Sequence, residues 1–142
     1  MVDLLGMGDA APDQPFDLIA MMLAATGERP LGMEAAQLIS LARWAQVQWV
    51  PSQIRLEGTG IRSQVISLVA SAVEPRLFSQ VELHAGMHSL SYLLGKPVEF
   101  KDAPDLFCLD LYKDFDLDRL AALAKSTEVI QHGFIELSAP GK

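Results

Sequence analysis

Between Gly58 and Ser63 the chain reads Gly-Thr-Gly-Ile-Arg-Ser. Two glycines so close together permit a tight turn or a close approach to a ligand, because no Cβ obstructs the backbone. The phrase reads as a damaged dinucleotide fingerprint, Gly-x-Gly-x-x-Ser, with Gly58, Gly60, Ile61 and Arg62 as the candidate ligand-binding positions. Glu82 follows at about the 20-residue interval at which a ribose-binding acid stands. Against that reading, Ser63 replaces the small third residue, and Arg62 crowds the helix start. Two strand–helix units also precede a turn that normally opens its domain. A second group, Glu82, His84 and His88, contains two imidazoles four residues apart, the spacing that puts both on one helical face. Ala85-Gly86 interrupts them and His84 finishes a strand, so they read as polar groups at the rim of a sheet, and no metal is expected. Cys108, in the apolar phrase Leu106-Phe107-Cys108-Leu109, reads as buried core. Asp102, Asp105, Asp110, Asp114, Asp116 and Asp118 lack the glycine turn and terminal Glu of a calcium loop. They read as a solvated face with one helix cap among them. Trp44 and Trp49 read as core and partner contacts.

The elements that must position these residues follow from periodicity. Ile54-Arg55-Leu56-Glu57 alternates like a short strand. Gly58-Thr59-Gly60 is the turn after it. Ile61, Val65, Leu68, Val69 and Ala72 recur at helical spacing until Glu74-Pro75 closes the helix. Upstream, residues 2–5 form an apolar strand candidate, and Asp13 is placed to cap a helix over 16–26. A longer helix is expected over 33–49, with Leu38, Leu41, Ala42, Ala45 and Trp49 as its stripe. Downstream come a strand over 80–84 closed by Ala85-Gly86, a helical turn or two over 88–94, and loop with short helical pieces over 98–111. A short helix over 117–124 capped by Asp116, a strand over 128–131 and a frayed tail over 138–142 complete the chain. Four strands alternating with helices imply an α/β fold: a small, mostly parallel sheet with helices on both faces. Residues 2–5 and 128–131 are its expected edges.

At 142 residues the chain is one domain long, and half of it is apolar. Eighteen acids against eleven bases give a net charge of −7, with no basic cluster, which argues against a nucleic-acid partner. A single cysteine excludes an internal disulfide and fits a reducing compartment, or simply a protein that needs no staples, and a cytoplasmic location is the expectation. No apolar run approaches the length of about 20 residues that spans a bilayer. The segment MVDLLGMGDAAP lacks the basic start of a signal peptide. Residues 2–5 follow Met1 with no polar lead-in, so the expectation is either a domain that starts abruptly or the C-terminal piece of something larger.

The order of elements resembles the C-terminal half of an α/β hydrolase, closest to the acetyl xylan esterase and prolyl-oligopeptidase-like members. Val2-Asp3-Leu4-Leu5-Gly6-Met7-Gly8 resembles the strand and turn before the lid-side helix. Arg29-Pro30-Leu31-Gly32-Met33 resembles the lead-in to the helix before the nucleophile strand. The stretch from Ala103-Pro104-Asp105 through Leu117–Leu123 resembles the approach to the strand carrying the triad acid. Residues 1–142 are then one hydrolase-like domain, a partial version of that fold. In this family the elbow is Gly-x-Ser-x-Gly, a strained turn that lifts a serine hydroxyl above the sheet. The resemblance puts Gly58 at the first glycine, Gly60 at the nucleophile and Arg62 at the second glycine. Glycine has no hydroxyl, so the elbow is degenerate. Thr59 and Ser63 are the substitute hydroxyls beside it, and His132 is the late histidine that the resemblance would use.

The expected function is therefore an esterase-like α/β-hydrolase domain that is weakly active or non-catalytic. The alternative is a small-molecule or nucleotide-binding module using the Gly58-Thr59-Gly60 turn. No resident cofactor is expected, and an uncovered sheet edge or helix face makes a homodimer the expected assembly.

Overall fold

The computed structural model describes residues 2–50, 53–95 and 98–135. At its centre is a three-stranded parallel sheet in the order β1-β2-β3, formed by β1 (Arg55–Thr59), β2 (Gln80–Gly86) and β3 (Glu128–Phe134). Parallel neighbours need a crossover. Helix α3 (Ile61–Val73) is the first. The second is longer: α4 (Tyr92–Gly95), a 3-10 turn at Pro104–Leu106, α5 (Leu109–Asp114) and α6 (Leu117–Leu123). Helices α1 (Phe16–Ala25) and α2 (Pro30–Trp49) precede the sheet. A small α/β fold with a parallel sheet flanked by helices is what the alternation of elements implied.

Helix α3 is the pivot of the packing. Val65, Ile66, Leu68 and Ala70 are buried, and so are its polar Gln64, Ser67 and Ser71. It lies on β1 and β2 and packs against both α2 and α6. Burying a side chain such as Ile66 or Leu68 is worth about 1.5–3 kcal/mol relative to exposure, so this helix anchors the core. The strands meet it with one face, carrying Leu56, Val81, Leu83 and Val129. Side chains alternate along a strand, so Arg55, Glu57, Thr59, Glu82, His84, Glu128 and His132 occupy the other. Among the described residues that second face is open to solvent, which corrects the expectation of helices on both faces. Both crossover helices share one side because α6 packs beside α3.

Other expectations are corrected too. Residues 2–5 pair with no strand; the Leu5 N–H donates instead to Gln37 Oε1 of α2 at 3.0 Å. Among the described residues the sheet therefore has three strands, with β1 and β3 as its edges. Asp13 caps nothing: α1 follows Pro15, whose carbonyl accepts from Leu18 and Ile19. Pro30 starts α2, since its fixed φ suits a first helical position. Strand β1 runs through Gly58 and Thr59, held by their pairing with Leu83 and His84, so the turn reduces to Gly60. Ala85-Gly86 does not end β2, and β3 extends three residues past 131 to Phe134. The tail over 138–142 lies outside the described residues.

Asp116 caps α6 as expected. Oδ1 accepts the N–H of Leu117 at 2.7 Å and of Leu90 at 2.8 Å, and Oδ2 accepts from the Ser89 hydroxyl at 2.6 Å. Burial alone would push this carboxyl up, but the three hydrogen bonds outweigh it and hold the pKa below the usual aspartate value. Asp116→Ala is expected to cost about 1–2 kcal/mol, read from urea unfolding. The depressed pKa means that this contribution is present above the unfolded-state value and lost as pH falls through the folded one. A variant as stable as the parent would show that the cap holds nothing.

Candidate functional site

Gly60 is the hinge between β1 and α3. Its φ of 88° and ψ of 169° lie where only glycine is comfortable, and its N–H donates to the His84 carbonyl at 2.9 Å. Gly58 serves a different purpose. A Cβ there would stand 3.2 Å from Ser63 Cβ and 3.4 Å from both Leu83 and Ser67. Its bare backbone is what lets α3 settle closely on β1.

Thr59 and Ser63 diverge from this hinge. Thr59 is exposed in the row Thr59, His84, His132, three residues in register across the open face. His84 stands between Thr59 and His132, two strand spacings or about 9.6 Å apart. Ser63 lies on α3 and lines a groove with Gly58 and Ser67. Among the described residues, neither hydroxyl hydrogen-bonds to a histidine. No serine-hydrolase relay joins Thr59 or Ser63 to His132 in this arrangement, because activation of a hydroxyl needs a base within hydrogen-bond reach.

The groove has a volume of about 450 Å³ and runs between α2 and the free edge of β1. Leu38, Leu41, Trp44, Trp49, Ile54 and Leu56 supply apolar walls, with Ser63 and Ser67 as hydroxyl groups in the lining. Trp44 and Trp49 meet edge to face at 5.0 Å and are 49% and 69% exposed. They are not core residues, which corrects their sequence reading. Helix α2 buries Leu31, Ala35, Ile39 and Ala42 and then runs on past its cover, leaving the last two turns exposed.

Arg62 is engaged within the fold. Its Nε donates to Asp105 Oδ2 at 3.0 Å, Nη2 to Glu34 Oε1 at 3.3 Å and Nη1 to the Gly6 carbonyl at 3.3 Å, and the guanidinium lies 5.5 Å from the Phe16 ring centre. The side chains of Glu34 and Asp105 are wholly buried. Burial, then the charge of Asp105, pushes the Glu34 carboxyl up to about 8, with Arg62 pulling the other way. Asp105 is thus no part of a solvated face. Nearby, buried Gln64 accepts the Met87 N–H at 2.8 Å and donates to the Met87 carbonyl at 2.9 Å and to Gln131 Oε1 at 3.1 Å. It ties the end of β2 and the middle of β3 to α3.

The polar face of the sheet holds the remaining candidates. His84 and His132 stack with ring centres 4.8 Å apart. Glu57 approaches His84, and Glu82 approaches His132. His88, grouped with Glu82 and His84 by sequence spacing, instead stacks on Phe134 at 3.5 Å. Cys108 is half-buried against the core. No helix among the described residues is long and apolar enough to cross a membrane. Comparison with protein-family models, curated proteins and solved structures finds no match to this chain.

Proposed function

We propose that this chain is a hydrolase-like α/β domain that binds rather than hydrolyses. Its ligand is a small molecule with an apolar body and a short polar end, held in the groove between α2 and β1. The groove itself carries this reading: about 450 Å³, with two tryptophans, aliphatic walls and hydroxyls beside the Gly58–Gly60 hinge. Concave, mostly apolar sites with a few convergent polar groups are the usual form of small-molecule sites. The esterase resemblance supplies the fold, while Gly60 leaves the nucleophile position without a hydroxyl. Cytoplasmic residence and pairing of two copies through the β1 or β3 edge accompany this reading.

The chain's two tryptophans both line the groove, so their fluorescence reports its occupancy directly. Titration with octanoate or with 1-anilinonaphthalene-8-sulfonate should change that emission saturably, and Leu41→Glu should abolish the change. Hydrolysis of p-nitrophenyl acetate should not exceed the buffer rate. A turnover lost in Ser63→Ala or Thr59→Ala would refute the non-catalytic half of the reading. Titrations with no saturable response would refute the binding half.

A further inference from the structure

We infer that the open face of the sheet holds a divalent transition-metal site of the zinc type, with Glu82, His84 and His132 as its protein ligands. The site is independent of the groove reading and does not need it. Strand geometry brings the three together. Glu82 and His84 are two apart on β2 and therefore point to the same face. His132 is the register partner of His84 on β3. One candidate donor atom from each lies within 4.8 Å of the other two. In a tetrahedral zinc site, with bonds of about 2.1 Å, donors sit about 3.4 Å apart. None of the three residues is fully buried, and binding an ion requires their side chains to turn so that the donors draw closer.

Three observations favour an ion over a set of surface contacts. The first is the orphaned nitrogen: His84 Nε2 is shielded from solvent yet makes no hydrogen bond among the described residues, where its nearest acid oxygen is Glu57 Oε1 at 3.5 Å. A buried polar atom without a partner is costly and calls for one. The second is the closeness of the imidazoles, whose ring centres are 4.8 Å apart; their planes, 13° from parallel, must tilt toward each other to aim both lone pairs at one ion. The third is donor type. Glu82 Oε2 lies 3.9 Å from His132 Nε2, and Glu57 pairs with Glu82 across the strands, so two carboxylates adjoin two imidazoles. Carboxylates beside imidazoles are the donor types that zinc-like cations take.

The donor types choose the metal. Two imidazoles with a carboxylate suit zinc and its neighbours, whereas calcium and magnesium prefer all-oxygen sites. Three protein ligands leave a coordination position open, and it faces solvent. Sequence spacing missed the set because it joined His88 to Glu82 and His84; the third ligand comes from a strand 48 residues beyond Gln80.

The test uses the untagged, chelator-stripped protein titrated with zinc chloride by calorimetry, with cobalt absorption as a second probe. Binding of one ion with micromolar affinity or better is expected. His84→Ala and His132→Ala should each weaken it by at least about tenfold, and removal of the Glu82 carboxylate in Glu82→Gln should also weaken it. His88→Ala should leave it unchanged. In the parent protein, zinc should shift the imidazole resonances of His84 and His132 and spare those of His88, a readout that needs no variant to fold. The inference is overturned if the parent binds no zinc at micromolar concentrations. It is equally overturned if binding survives the double substitution His84→Ala/His132→Ala, or if only the His88 resonances move.

Discussion

Arg62→Met is expected to lower folding stability by about 3–5 kcal/mol, the cost of stranding the buried Asp105 carboxylate and leaving the Glu34 carboxyl beside it without its donor. The guanidinium is the only cation hydrogen-bonded to Glu34 and Asp105 among the described residues, and both of those side chains are wholly buried. It also ties the N-terminal turn at Gly6 to the first turn of α3 and lies against Phe16. Domains of this kind are stable by only about 5–15 kcal/mol, so the variant should be a large fraction of the way to unfolding. Arg62→Lys should fall between, since an ammonium keeps the charge but cannot fork to two acids and a carbonyl. Urea unfolding of the three proteins decides the matter. A loss below about 1 kcal/mol for Arg62→Met would mean that the cluster is not holding α2, α3 and the Pro104–Leu106 turn together.

The second large effect is on pH. The Glu34 carboxyl is raised from 4.5 to about 8 in the folded chain. A raised acid binds more protons folded than unfolded, so the contribution of Glu34 is greatest below about pH 4.5, falls as pH rises, and levels off above about 8. At roughly 1.4 kcal/mol per unit, the loss across that window is on the order of 5 kcal/mol. Glu34→Gln mimics the protonated acid and should flatten this slope. The variant should resemble the parent near pH 5 and exceed it near pH 9, where thermal unfolding should differ by several degrees. Parallel stability curves for the two proteins between pH 5 and 9 would show that Glu34 does not titrate in this window.

The fold was legible where apolar periodicity is local. The spacing of Ile61, Val65, Leu68 and Val69, and the alternation of Val81, Glu82 and Leu83, specify α3 and β2 without outside help. Residues 2–5 were as apolar as a strand, but a strand exists only where another backbone accepts it, and the partner offered there is the Gln37 side chain. The ion cluster was illegible for a related reason. Asp105 lies among exposed-looking acids, and its burial depends on Arg62, 43 residues away. Of the candidate site, Gly58, Gly60 and Ser63 were found where the hinge and groove lie, and His132 was named through the hydrolase resemblance. Register places His132 beside His84 and away from Ser63. The groove escaped notice because Trp44 and Trp49 look like core in a helical stripe; only the extent of the covering elements shows that they are not.

The simple strand order also bears on how the chain assembles. Ser79 is bonded to Ile54, 25 residues back, whereas Gln80 is bonded to Glu128, 48 residues ahead. Doubling a loop adds only about 0.6 kcal/mol to the entropy of closing it, so loop length hardly ranks the two joints. What each closure buries does not rank them either: joining β1 to β2 seats α3, and the longer crossover to β3 lays α6, with buried Leu117 and Leu120, beside α3. The stacked imidazoles of His84 and His132 straddle the seam between β2 and β3, where a bound ion would act as a rivet across the longer loop.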